Sequence, residues 1–382
     1  MHHHPRPKPA PVIAHVEGRE LPDEDIVVVV EVEATRPWYV RALFLVVGLF
    51  LFVTALGLMK EGAKELIDFL DGSIFTDNAW STLGLGWLGA CLVLSGSPMA
   101  ASSLALLDGG AIDRDQAFTM LTGSRLGASF VVLVVGVIYA LRRRHEGGRR
   151  APVSIGVLSL MMTAFVYVPG AIVGYLLLDA GALDSLDIGT SPGLTSATDE
   201  AFGWAADLVL ELLPGWTLFP IGLALLLVGF SAFDRALPAM GGERLEGHDD
   251  SWYTRKWPMF LAGLAVTLLT LSVAVSLTVL VPLVATGRIR RANTLPYIAG
   301  ANITTLADTL VAAIVLGNQD GVRVVVAVTI TVTIWTLVLL TFAYPLLRRI
   351  VLDIATWTLR SQSRLAAFAA VLFVVPLILI AI

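Results

Sequence analysis

Residues 294–318 read TLPYIAGANITTLADTLVAAIVLGN, apolar enough to cross a bilayer except for Asn302, four threonines and Asp308. A carboxylate near the bilayer centre costs at least ~2.5–3.5 kcal/mol unless it is paired, hydrated or protonated. The sequence offers three stabilisers: a cation shared with Asn302 and the hydroxyls of Thr304 or Thr305, a proton, or a salt bridge to Arg125. On a straight helix, six residues turn through about 240° beyond a full turn, so Asn302 and Asp308 would not share a face. An unwound start at Gly300-Ala301 would relax that constraint. A second polar group is SGSPMAASS, which gives Ser95, Ser97, Ser102 and Ser103 as hydroxyls, while Pro98 frees backbone groups. Hydroxyls, exposed N–H groups and a fixed cation are what a dehydrated anion requires. The competing role for such serines is close helix packing. Ser272, Ser276 and Thr278 form a poorer set further along. Arg125 lies about eight residues into its apolar stretch, roughly 12 Å deep. It either clamps an anion or snorkels to the headgroups.

The elements that carry these residues follow from composition. The chain of 382 residues is 56% hydrophobic and 15% charged, with a mean hydropathy of +0.78. That describes a multi-spanning helical membrane protein. A net charge of −5 and a single cysteine, Cys91, argue against nucleic-acid binding and a disulfide framework. The opening MHHHPRPKPAP lacks the apolar core of a secretory signal. No nucleophile–base set, metal-ligand spacing or phosphate-cradling glycine loop is present, so no enzyme and no cofactor is expected.

Spans are expected near 38–58, 126–142, 152–178, 212–232, 298–317, 322–347 and 363–382. Segments 79–107 and 257–286 are too long for one straight span and are interrupted centrally, at 94–103 and 271–283. Such interruptions predict two half-helices meeting at membrane depth, a re-entrant hairpin, in preference to one long kinked helix. Basic loops at 142–150, 234–256 and 348–349 are assigned to the cytoplasm, and the acidic 179–204 loop to the outside. By that count the first hairpin opens outward and the second inward.

An offset of 177 residues relates the hairpins without gaps, pairing Ser95 with Ser272, Gly110 with Gly287, Arg114 with Arg291 and Gly123 with Gly300. A slightly different offset pairs GLFLFVTALGLM (48–59) with GLALLLVGFSAF (222–233). The expected fold is therefore an all-α polytopic membrane protein with two inverted-topology repeats. Each has a spanning helix, a re-entrant broken hairpin and a following spanning helix. The divisions are an extramembrane cytoplasmic arm at 1–37 with a β-prone run, repeat 1 at 38–150, and a connecting helix with an acidic outer loop at 151–211. Repeat 2 covers 212–350, and a cytoplasmic linker with a C-terminal helix covers 351–382. Inverted repeats with facing broken helices are the architecture of secondary transporters.

LFLFVTALGLMKEGAKEL (49–66) with the serine-bearing hairpin, and VPLVATGRI (281–289) followed by PYIAGANITTLADTLVAAI (296–314), resemble the type II sodium-dependent phosphate cotransporter family, including its bacterial members. The resemblance covers about 40–142 and 216–347. It implies a QSSS motif at each hairpin break and a GANIG-T-T motif opening the next helix, together holding phosphate and sodium. Here the first break reads Leu94-Ser95-Gly96-Ser97 and the second Leu271-Ser272-Val273-Ala274, so both glutamines are missing. Gly123-Ser124-Arg125-Leu126-Gly127 stands at the first GANIG position, while Gly300-Ala301-Asn302-Ile303-Thr304-Thr305 is nearly intact. The resemblance implies sodium-coupled symport of an inorganic oxyanion, phosphate first, across the cell (inner) membrane, with protons as the alternative coupling ion. The rival is a diverged, non-transporting sensor, partner-binding subunit or channel. Expected substrate contacts are Ser95, Ser97, Ser102, Ser103, Arg125, Ser272 and Asn302. Expected cation contacts are Asn302, Thr304, Thr305, Asp308 and Ser129, with sodium the only metal. The lipid bilayer is the expected surrounding, and an oligomer is left open.

Overall fold

In the computed structural model, residues 37–142, 150–185, 204, 208, 214–236, 254–285, 287 and 289–382 are described. The β-prone N-terminal run and most of the charged loops used to orient the chain lie outside them. Backbone N–H and C=O groups find no water in hydrocarbon, so apolar sequence of this length satisfies them within helices. The helices are α1 (Trp38–Leu70), α2 (Ala79–Val93), α3 (Gly96–Asp108), α4 (Arg114–Ala128), α5 (Phe130–Arg142), α6 (Arg150–Asp179), α7 (Leu218–Ala236) and α8 (Lys256–Thr270). Beyond them come α9 (Val273–Thr278), α10 (Leu280–Ala285), α11 (Thr294–Thr304), α12 (Ala307–Leu316), α13 (Gln319–Val338), α14 (Tyr344–Thr358) and α15 (Gln362–Ala381). Among the described residues seven stretches are long and apolar enough to cross a membrane, and each overlaps one of the seven expected spans. Among the described residues the fold is all-helical, that of a multi-pass membrane protein.

Both overlong segments are hairpins. Asn78 caps α2 and Asp113 caps α4, each through a reciprocal capping box. Gln116 Nε2 donates to Thr76 O at 2.7 Å, which ties the start of α4 to the start of α2. The segment that leaves the surface at Asn78 therefore returns to it by Asp113. Its turning point is Leu94, which sits in the left-handed region at φ 58°. In the second hairpin Leu271 does the same at φ 48°. A branched side chain in that region is disfavoured by roughly 1–2 kcal/mol, so the same strain is held at both breaks.

The 177-residue offset is visible in the backbone. It carries α2 onto α8, Leu94 onto Leu271, and the positive-φ Gly110 onto Gly287. It also carries one helix crossing onto the other. A Cβ on Gly123 would overlap Leu83 O, and one on Gly300 would overlap Phe260 O. Gly86 against Met120 O and Gly263 against Tyr297 O form the companion pair. Only a residue without a side chain permits backbones to approach this closely.

The first helices of the two halves pack on each other. Gly48 meets Phe233 and Gly229 O, while Gly222 meets Met59 and Ala55 O. Gly62 lies against Leu218 and Phe219. Early residues of α1 thus meet late residues of α7 and the reverse, so the pair is antiparallel and its contacts are reciprocal.

Candidate functional site

The discontinuity in the 291–316 span falls at Thr305-Leu306, between α11 and α12. This corrects the expectation of unwinding at Gly300-Ala301, which are helical. Those two positions are fixed in helix by the α8 crossing. The matching break in the first half is at Ser129, between α4 and α5.

A break releases carbonyls from the helical ladder, and in a membrane interior each needs another donor. Leu306 N–H turns to Ile303 O at 3.2 Å. The carbonyl of Asn302 is taken by Tyr167 Oη at 2.6 Å. Thr305 O accepts from Arg125 Nη1 at 3.2 Å. Two side chains from elsewhere in the chain therefore hold the break open. Arg125 comes from the last turn of α4 and Tyr167 from the middle of α6.

Arg125 is only 1% exposed, which corrects the snorkelling alternative. Its side chain runs across to the second half, where Nη1 also donates to Thr305 Oγ1 at 2.9 Å and Nη2 to Thr309 Oγ1 at 2.6 Å. Thr309 in turn donates to Asp308 Oδ1 at 2.9 Å. Arg125 and Asp308 are thus paired through a hydroxyl, and no direct salt bridge joins them among the described residues. Asp308 occupies the first turn of α12 and Arg125 the last turn of α4. Each charge therefore sits at the helix end whose dipole favours it. Asp308 Oδ2 and Arg125 Nε are buried without hydrogen-bond partners. The Ser97 hydroxyl of α3 lies close to the carboxylate, and α3 packs directly on α12.

Asn302 lies in a second group. Its side chain exchanges hydrogen bonds with Thr163 Oγ1 at 3.1 and 3.2 Å, and Thr163 meets Ser129 Oγ at 2.9 Å. Tyr167 Oη holds Asn302 O and Arg125 Nη1 holds Thr305 O three residues further on, so the two groups adjoin.

The remaining expected residues fall elsewhere. Ser102 and Ser103 donate to Pro98 O and Ala100 O of their own helix, at 2.8 and 2.7 Å. Ser95 is half-buried at the start of α3 and makes no capping bond there. Ser272 caps α9 by accepting from Val275 N–H at 3.2 Å. Ser276 is closed in with Thr267 and Tyr297, at 2.7 and 3.0 Å. Thr304 is half-buried and turns to Gly300 O at 3.5 Å. Thr163, Tyr167 and Thr309 are the site residues that sequence reasoning missed. Their signal was slight: Thr163 and Tyr167 are two of five hydroxyls along α6, and Thr309 directly follows the more conspicuous Asp308.

Broken hairpins, discontinuous helices and a buried, relayed Arg–Asp pair within apolar helices define a class, the polytopic membrane proteins with a polar interior site. Residues 225–382 match the family described as Na+/Pi-cotransporter. The match covers 158 of the 382 residues, and together with the helical membrane architecture it fits a transporter. No curated protein and no solved structure matches the chain. The matched segment holds Asn302, Thr305, Asp308 and Thr309. Arg125, Ser97, Thr163 and Tyr167 lie ahead of it.

Proposed function

We propose that the protein is a sodium-coupled symporter of an inorganic oxyanion, phosphate first, in the cell (inner) membrane, with its site between the two hairpin frameworks. The observation that carries this reading is the buried Arg125–Thr309–Asp308 relay, in which carboxylate Oδ2 and guanidinium Nε have no partner. Leaving charged groups incompletely satisfied in a low-dielectric interior is costly. Ligands of opposite charge would remove that cost at both ends. A hard cation prefers oxygen ligands, and Asp308 Oδ2, Ser97 Oγ and Thr309 Oγ1 are the oxygens gathered here. This differs from the set expected from sequence, because Asn302 and Ser129 are occupied with Thr163. The first hairpin supplies the anion side, with Arg125 and the start of α3, where no side chain occupies the N–H groups. The antiparallel, reciprocal packing of α1 on α7 supports inverted topology for the two repeats.

The experiment is uptake of labelled phosphate into proteoliposomes. Accumulation is expected under an inward sodium gradient, with collapse when the gradient is dissipated. Asp308→Asn, measured on the fraction recovered folded, is expected to lose sodium dependence. Full sodium-coupled uptake by Asp308→Asn would reject the cation site. If phosphate, sulfate, arsenate and phosphonate all fail to move or bind under any cation gradient, the non-transporting reading replaces this one.

A further inference from the structure

The Arg125–Asp308 connection runs through one atom, and its hydrogen-bonding capacity is limited. A threonine hydroxyl has one proton to donate and two lone pairs to accept with. Thr309 gives its proton to Asp308 Oδ1 at 2.9 Å and accepts from Arg125 Nη2 at 2.6 Å. A cation bound to the Asp308 carboxylate would seek neighbouring oxygen lone pairs, and Thr309 Oγ1 is already attached to that carboxylate. It would also repel the guanidinium that Thr309 holds beside it. Thr309 Oγ1 keeps a second lone pair for the cation, and repulsion between cation and guanidinium on that one oxygen favours release of Nη2. The other arm of Arg125 stays anchored, since Nη1 donates to both Thr305 O and Thr305 Oγ1. Nη2 gives one of its two N–H groups to Thr309, so its release leaves both of them, with the unpartnered Nε–H, for a ligand. Nε–H and Nη2–H form one edge of the guanidinium plane, the two-donor fork that suits two oxygens of an oxyanion. The 177-residue offset puts Val132 at the position of Thr309 and Val131 at that of Asp308, so the relay exists once.

Resting on the transport reading, we propose that Thr309 is the positioning residue that couples the two ligands. Cation at Asp308 takes the Thr309 oxygen, Arg125 swings about its Thr305 anchor, and its Nε–Nη2 edge becomes the oxyanion contact.

The test is equilibrium binding of labelled phosphate to the purified full chain, in sodium and in an equal concentration of a large organic cation. For the unaltered protein, sodium is expected to tighten phosphate binding by about tenfold or more, within the usual range of coupling between two sites. Thr309→Val removes the hydroxyl at nearly constant volume. Its binding is expected to be equal in the two salts and, without sodium, tighter than that of the unaltered protein. Thr309→Ser is expected to restore the sodium effect, and Thr309→Ala carries the same comparison if the valine variant is not recovered folded. A variant without the hydroxyl that keeps the full sodium effect would overturn the relay and leave the transport reading standing. So would one that loses phosphate binding in both salts while its thermal stability is unchanged. No phosphate binding by the unaltered protein in either salt removes the transport reading, and the relay with it.

Discussion

The two halves of the molecule share a backbone and differ in chemistry. Helix bounds, left-handed leucines and glycine crossings coincide at one offset. The polar residues do not. Arg125 corresponds to Asn302, while Thr305, Asp308 and Thr309 correspond to Ala128, Val131 and Val132. Beside the hairpins the contrast reverses in detail. Thr267, Ser276 and Tyr297 form a closed hydroxyl cluster in the second half, where Ala90, Met99 and Met120 belong to a small apolar core in the first. The start of α9 is capped by Ser272, and the start of α3 has no such cap. Crossing geometry tolerates no side chain at certain positions, so it preserves glycine in both halves. A charge in low dielectric is costly wherever it stands, so the charged pair is built once, with each half supplying one member.

The most severe test of this asymmetry is Arg125→Met. It leaves Asp308 buried without a counter-charge and is expected to destabilise the protein by about 3–5 kcal/mol. Adding Asp308→Asn should recover much of that loss in thermal unfolding. The corresponding change in the other half, Asn302→Leu, removes a neutral amide and should cost only about 1–3 kcal/mol. Equal losses would mean that the halves share the electrostatic burden after all.

The shared framework is probed by Gly123→Val and Gly300→Val. In each, the new Cβ meets a backbone carbonyl that cannot move aside, and a cost of about 3 kcal/mol is expected. Folded yield and melting temperature should fall alike for the two variants. A large difference between them would show that the crossings are alike in shape and not in strength.

The smallest expected contrast is at the hairpin breaks. Ser272→Ala removes a capping acceptor and should cost about 1 kcal/mol. Ser95→Ala removes no such bond and should change stability by less than about 0.5 kcal/mol. Its effect should appear in anion affinity instead. Comparable thermal losses would erase the distinction between a closed and an open helix start.

Composition and apolar run length determined the class and all seven spans, because hydrocarbon admits few ways of satisfying a backbone. Excess length, with serine and proline at the centre, located both hairpins, and identities at one offset located the repeat. Arg125 and Asp308 could be chosen from sequence because an ionised group in an apolar run has few neutral explanations. Their pairing through Thr309 could not, because Arg125 and Thr309 are 184 residues apart. Nor could the break at Thr305-Leu306, or the part played by Thr163 and Tyr167 of α6. A hydroxyl in a helix can bond its own backbone, as Ser102 and Ser103 do, or reach across to another helix, as Thr163 does. The local sequence is compatible with both. Which one occurs depends on whether a neighbouring helix brings an unsatisfied polar group within about 3 Å, and only the packed tertiary structure decides that.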